Sequence, residues 1–305
     1  MNGIFDMRQV RRAFSRAAQS YEAAATVQHE VEARLLESLD YFDQRPLDRR
    51  APQIVLDLGC GPGRAAAAMR RRWPKAQVLA FDLALPMLRE SRRQEGWLPL
   101  RRKVQRVCAD ARALPLAENC IDVLFSNLCL QWVEDLPAVF AGFRRVLKPG
   151  GLLLVSTFGP ATLHELRAAF AHAEQAAGVP ASHVSPFAGI AQFGDALMAA
   201  GFRDPVLDRD ATVSRYQDLA ALMRELRAIG ATNALQARRH TLTGKARFTR
   251  AAAAYAAQSG DDGVLAATWE TITAMAWAPQ AGAPIREAGV EIARFPAAGI
   301  PIRRR

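Results

Sequence analysis

Apolar side chains near the start of the chain recur at helical spacing: Val10, Phe14, Ala17, Ala18 and Tyr21, then Val27, Val31, Leu35, Leu36 and Leu39. Steps of three and four residues place them on one face, which predicts one or two helices over residues 8–39, followed by a linker at 45–52. The period then changes. Short apolar runs at 54–58, 78–81, 104–109, 121–126 and 152–157 read as strands, and the stretches 65–72, 86–93 and 136–147 read as helices between them. Lys148-Pro149-Gly150-Gly151 predicts a turn after the last of these helices. Strands alternating with helices build an α/β fold with a parallel, doubly wound sheet. Beyond Phe158 the pattern is mainly helical, near 160–177, 188–200, 216–228 and 243–257, with strands near 205–210 and 268–277. The expected division is a helical lid over 1–50, a ligand-binding core over 51–158, and a part over 159–305 that completes the sheet and covers its carboxyl edge.

With 305 residues, half of them hydrophobic and 23% charged, the chain buries a core without a disulfide or metal staple. No apolar run is long enough to cross a bilayer, so no membrane association is expected. The N-terminal stretch carries charge where a secretory signal needs an apolar segment; its acidic residues and helical pattern argue against a transit peptide as well. Cys60, Cys108, Cys120 and Cys129 form no CxxC pair and no metal-ligand spacing. They read as reduced thiols in a reducing, cytoplasmic setting, with no metal site. The net charge of +10 is concentrated: residues 64–106 hold twelve basic side chains against three acidic ones. Such a segment attracts an anionic macromolecule, or is simply an Arg-rich solvated surface. No aromatic interleaving or nucleic-acid motif accompanies it, and no nucleic-acid partner is expected.

Candidate chemistry concentrates after the first strand, in Val55-Leu56-Asp57-Leu58-Gly59-Cys60-Gly61-Pro62-Gly63. Glycines there permit a tight turn and close backbone approach by a ligand. Gly61-x-Gly63-x-x-Ala66 also fits a dinucleotide fingerprint formally. Asp82 ends the second strand, where a carboxylate accepts hydrogen bonds from ribose hydroxyls. Asp110 ends the third, where it can accept from an adenine amino group while the Ala111 N–H meets a ring nitrogen. Each aspartate alone also suits a helix cap. Taken in register, the three describe an adenosine pocket. The absence of a GK[ST] sequence disfavours P-loop phosphoryl transfer.

Asp57-x-Gly-x-Gly-x-Gly, the acidic strand ends, Ile121-Asp122-Val123-Leu124-Phe125-Ser126-Asn127 and Leu147-Lys148-Pro149-Gly150-Gly151 together resemble a class I S-adenosylmethionine-dependent methyltransferase over residues 50–158. That resemblance implies a Rossmann-like, mostly parallel seven-stranded sheet with N-terminal helices and helical insertions in the second half. It implies S-adenosylmethionine held by Gly59, Gly61 and Gly63 along its methionine part, by Asp82 at the ribose and by Asp110 and Ala111 at the adenine, with Asp57 and Leu83 also among the cofactor-binding residues. Asn127 and Leu128 would then lie near the transferred methyl.

The flanks resemble the malonyl-acyl-carrier-protein O-methyltransferases of biotin synthesis. The matching stretches are Val10-Arg11-Arg12-Ala13-Phe14-Ser15-Arg16-Ala17-Ala18-x-x-Tyr21, Ser126-Asn127-Leu128-x-Leu130-Gln131-Trp132, Phe158-Gly159-Pro160-x-Thr162-Leu163-x-Glu165-Leu166, Leu226-x-x-Ile229-Gly230-Ala231-x-Asn233, Leu242-Thr243-Gly244 and Thr268-Trp269-Glu270. Met275 stands where that family often has histidine. The resemblance implies methylation of a malonyl carboxylate carried on the phosphopantetheine of an acidic acyl-carrier protein, and docking of that carrier on the basic segment. No general base is required, because a carboxylate is already ionised. Candidate acceptor-site residues are Tyr21, Asn127, His164, Arg167 and Arg203; Tyr21 equally suits a plain helix anchor. Two other readings stand open: a small-acid carboxyl methyltransferase similar to the trans-aconitate enzymes, and a non-methylating assembly factor of the same fold.

Overall fold

The computed structural model describes residues 3–44, 51–95, 103–175, 182–239, 244–258, 263–280, 282, 285–287 and 290–292. The N-terminal helical stretch is four pieces: α1 (Met7–Ala17), α2 (Tyr21–Ala24), α3 (Thr26–Glu37) and α4 (Asp40–Asp43). Its first break has a local cause. Ser20 Oγ donates to the Ala17 carbonyl at 3.1 Å and to Ala228 at 2.8 Å, competing with the helical ladder. A second break falls at Ala25, whose backbone leaves the helix.

The alternating part follows as β1 (Ile54–Leu58), α5 (Arg64–Arg72), β2 (Gln77–Asp82), α6 (Leu85–Glu90), β3 (Gln105–Cys108), β4 (Ile121–Ser126), α7 (Leu136–Val146) and β5 (Leu147–Phe158). Then come α8 (His164–Gln175), α9 (Ile190–Ala199), β6 (Arg203–Tyr216), α10 (Leu219–Ala228), α11 (Lys245–Ala256), β7 (Leu265–Trp277) and a hairpin of β8 (Ile285–Glu287) and β9 (Val290–Ile292). Seven strands form one sheet in the order β3-β2-β1-β4-β5-β7-β6. β7 pairs antiparallel with both its neighbours and the remaining pairings are parallel. This is the mostly parallel, doubly wound sheet that the alternation predicts. The chain reverses its winding direction between β1 and β4, and a crevice opens outside their carboxyl ends.

Both faces of the sheet are covered, so its central strands read as continuous apolar runs rather than alternating ones. On one face Phe140 packs edge-on against Phe193, with ring centroids 5.0 Å apart, and against Phe143 at 5.9 Å. On the other, Leu35, Leu39 and Phe42 from the N-terminal helices pack with Met69 and Trp73 of the α5 region.

Three expectations are corrected. Lys148–Gly151 is not a free turn: Gly150 adopts φ +70° and the register shifts between Ile121 and Val123, so the segment forms a bulge and β5 starts at Leu147. Lys148 Nζ holds Asp122 at 2.9 Å beside that bulge. The predicted strand at 205–210 extends to Tyr216, because its whole length pairs with β7 along the sheet edge. The helix expected from 160 starts at His164, since Leu163 sits at φ +53° and Thr162 Oγ1 is tied to the Glu270 carbonyl at 2.9 Å. Residues 45–50 of the predicted linker, 176 and 177 of the helix predicted over 160–177, and the motif residues Leu242 and Thr243 lie outside the described residues.

The described cations of the basic segment are mostly exposed, and some of them are tied to the N-terminal helices. Arg70 is buried. Arg72 pairs with Asp40 and Asp43, and Arg64 reaches Glu22 and Glu32 at 3.2 Å each. These ions tie α5 to the N-terminal helices, which explains why the acidic residues of 1–50 balance cations further along the chain. Arg101 and Arg102 lie outside the described residues.

Candidate active site

The crevice between β1 and β4 is built from turns that need glycine. Gly59, Gly61 and Gly63 take φ values of +71°, +49° and +83°. A Cβ on Gly59 would stand 2.6 Å from both Cβ and Sγ of Cys129, so the loop after β1 closes against the loop after β4 only without a side chain there. Asp57 is buried; its Oδ2 accepts from the Ala66 N–H at 2.8 Å and caps α5 from the strand behind it. Burial in this acidic neighbourhood, which includes Glu32, pushes the Asp57 carboxyl well up.

Asp82 accepts from the N–H of Gly61 at 2.9 Å and of Ala84 at 2.7 Å, which locks the glycine loop onto β2. Burial raises its pKa to about 6 despite those two bonds. Asp82 and Asp110 line one cavity of about 90 Å³, together with Leu83, Ala111, Asn127 and Leu128. Met7, Val10 and Phe14 of α1 form its outer wall. Asp57 borders an adjoining hollow of about 30 Å³ with His29, Glu32 and Arg64. There burial raises Glu32 to about 7, and the buried Glu22 Oε2 and His29 Nε2 have no hydrogen-bond partner among the described residues. A cluster of carboxylates, an imidazole and a guanidinium with spare hydrogen-bonding capacity matches the ammonium and carboxylate of an amino-acid zwitterion. With Asp82 placed for a ribose and apolar walls around Leu83 and Met87, the residues present fit S-adenosylmethionine.

Asp110 is not idle. Arg112 grips both its oxygens, with Nη2 to Oδ2 at 2.6 Å and Nε at 3.0 and 3.1 Å. Hydrogen bonds from Arg112 hold the Asp110 carboxyl below its usual range, although burial opposes them.

A third cavity, of about 300 Å³, lies on the far side of Tyr21 and Leu128. Its lining is mostly apolar, from Phe14, Phe158, Leu163, Leu166, Phe170 and Trp269, with Gln28, Gln131, Trp132, Thr162, Thr232 and Asn233 as polar points. Gln131 Oε1, Trp132 Nε1 and Thr232 Oγ1 are buried without partners among the described residues. Tyr21 lines all three spaces. Burial raises its pKa, so its hydroxyl is neutral over the physiological range. Asn127 is fixed by donating to the Gln28 carbonyl at 3.0 Å and accepting from Ser156 Oγ at 2.8 Å. The arrangement brings a crevice lined by the strand-end aspartates and an apolar chamber to one meeting point.

Comparison with known proteins agrees with this geometry. Residues 56–155 match the family model described as a methyltransferase domain. A malonyl-(acyl-carrier protein) O-methyltransferase from Xylella fastidiosa is 58% identical over 306 aligned residues, covering 100% of this chain and 99% of its own. The chain belongs to the malonyl-(acyl-carrier protein) O-methyltransferase family. A second relative of that name, from Laribacter hongkongensis, is 44% identical, covering 90% of this chain and 91% of its own. Among solved structures, a methyltransferase-fold protein of Bacillus halodurans superposes with a TM-score of 0.56 at 16% identity, covering 80% of this chain and 99% of its own. At that identity the likeness concerns the fold.

Three acceptor candidates stand elsewhere. His164 is exposed, its Nδ1 3.0 Å from the Ala161 carbonyl. Arg167 spends its guanidinium on the Pro160 and Thr162 carbonyls at 3.1 and 3.3 Å. Arg203 opens β6 opposite Trp277, which pairs with Leu152 near the amino end of β5, so it lies at the end of the sheet remote from the crevice. None of the three lines the large chamber. Residues that do, and that sequence reasoning did not single out, are His183, Arg227 and Thr232. Asn233 was visible within a matched motif, whereas His183 carried no local signal because only packing of its loop brings it to the chamber.

Proposed function

We propose that this chain methylates the free carboxylate of a malonyl group held as a thioester on an acyl-carrier protein, with S-adenosylmethionine as donor. The malonyl methyl ester so formed would enter biotin synthesis in the cytoplasm. The observation that carries this reading is the junction at Tyr21, where a crevice suited to an adenosyl sulfonium meets an apolar chamber suited to an acyl thioester. Full-length identity to relatives of that name supports it.

In this reading Asp82 binds the ribose hydroxyls, Asp110 and Ala111 face the adenine, and Glu32, Asp57 and the Gly59–Gly61 backbone receive the amino-acid end. When bound, S-adenosylmethionine supplies a methyl group on a positive sulfur, open to in-line displacement. Asn127, Leu128 and Tyr21 set the line of approach. Trp132 Nε1 offers an unpaired donor for the acceptor carboxylate. An oxygen of that carboxylate forms the new bond to carbon as the carbon–sulfur bond breaks, and the electron pair leaves on sulfur. No proton moves, so no side chain has to act as a base. The protein's contribution is alignment and exclusion of water. Residues 1–50 serve as the lid, 51–158 as the cofactor half, and 159–305 as the acceptor cover.

The test is methyl-ester formation followed by mass spectrometry on malonyl-carrier protein, malonyl-CoA and trans-aconitate. Transfer to the malonyl thioesters is the expected result. Transfer confined to the small acid, or cofactor binding with no transfer to any acid, would overturn the reading.

A further inference from the structure

The acceptor chamber has a charged antechamber. A second cavity, of about 420 Å³, shares Phe170, His183, Met223 and Arg227 with the chamber and adds Arg224 to its wall. Arg224 and Arg227 are exposed, three residues apart on α10 and therefore on one face. Neither guanidinium has a hydrogen-bond or ion-pair partner among the described residues. Glu225, between them in sequence, accepts from the Tyr216 hydroxyl at 2.8 Å and forms an ion pair with neither. The neighbouring buried acid is matched too: Glu174 faces His183 Nε2 at 2.8 Å and Arg247 Nε at 3.3 Å. Two cations without an ion-pair partner among the described residues therefore stand at the outer end of an apolar passage that leads inward past Phe170 and Met223 to the methyl-transfer junction.

We propose that Arg224 and Arg227 form a phosphate subsite that grips the phosphate ester of the acceptor's pantetheine arm. The inference rests on the function proposed above. The chemistry of the arm runs in the same order as the walls: a phosphate at the outer end, an uncharged linear chain through the apolar passage, and a thioester with its terminal carboxylate at the junction. A guanidinium fork suits a phosphate, which it binds through paired N–H donors. A small free acid would have no use for such a site. The subsite lies on α10, outside the 64–106 segment whose excess charge first suggests anion binding.

The experiment compares malonyl-phosphopantetheine with malonyl-pantetheine, and malonyl-carrier protein with malonyl-CoA, for the wild type and for Arg224→Ala/Arg227→Ala. Charge-assisted hydrogen bonds of ordinary strength predict a wild-type preference of roughly tenfold or more in kcat/KM for the phosphorylated arm. That ratio should fall toward unity in the double variant, through KM, and recover in part in Arg224→Lys/Arg227→Lys. Cofactor affinity and melting temperature monitor folding. Equal losses with carrier protein and CoA place recognition on the shared phosphate. A loss with carrier protein alone places it on the carrier's own surface and overturns the subsite. A preference unchanged by substitution, or absent from the wild type, overturns it while leaving the malonyl-methylating function intact. If the wild type binds S-adenosylmethionine but methylates no malonyl thioester, the function itself fails and the subsite falls with it.

Discussion

Asp82 shows how one residue serves the loop and the ligand together. Two backbone N–H bonds hold it, yet burial keeps its pKa at about 6. Ribose hydroxyls donate to the ionised form, so cofactor affinity should be full above that pH and decline as pH falls through about 6. Calorimetry from about pH 8 to about pH 5 checks this; a flat profile would contradict it. Asp82→Asn should weaken binding by roughly 10- to 100-fold at about pH 8, the range for charge-assisted hydrogen bonds, and remove the step near pH 6 while leaving that of Glu32 near 7. The same raised pKa has a cost in the unliganded fold. Because the folded state binds this proton more tightly than the unfolded chain, stability declines as pH rises from the ordinary carboxylate range through about 6, so Asp82→Asn should melt higher at about pH 8. Asp82 and Asp110 were legible in sequence because Asp82 ends β2 and Asp110 follows β3 by two residues, which puts both at the sheet's lip. Arg112, His29 and Glu32 were not, since their contacts with the site arise from side-chain reach and from packing of the N-terminal helices.

At the scale of elements, the site depends on two loops that nearly touch. Gly59→Ala would force a Cβ to within 2.6 Å of Cys129 and impose positive φ on a residue with a side chain. The backbone term alone is about 1–2 kcal/mol, so this variant should melt lower and lose cofactor binding; Cys129→Gly in the same background should restore part of both. In the core, Phe140→Ala should cost about 3–5 kcal/mol in denaturant unfolding, because three aromatic neighbours surround the ring. Strands inside the alternating half were readable from their apolar runs. The edge was less so: β6 alternates exposed and half-buried positions over much of its length, and its extent is set by pairing with β7 rather than by its own composition. The glycine pair at 150–151 predicts a break by local rules, but pairing across the bulge absorbs it.

Across the whole molecule, part of the charge closes the N-terminal helices onto the sheet, through Arg64 and Arg72. Arg72→Ala should therefore lower the melting temperature, having removed its pairings with Asp40 and Asp43, and change the rate of acceptor encounter little. Exposed cations such as Arg71, Lys75 and Arg89 remain available for long-range attraction. On that basis kcat/KM for carrier-borne malonate should fall with added salt more steeply than for malonyl-pantetheine, and equal salt slopes would argue against any electrostatic docking.

Tyr21 borders the crevice, the adjoining hollow and the chamber. An acyl arm seated in the chamber is then expected to cover the crevice on that side. The expected order is donor before malonyl arm, with the demethylated donor leaving last. Steady-state kinetics should therefore be compulsory-order, with S-adenosylhomocysteine inhibiting competitively toward the donor and non-competitively toward the acceptor.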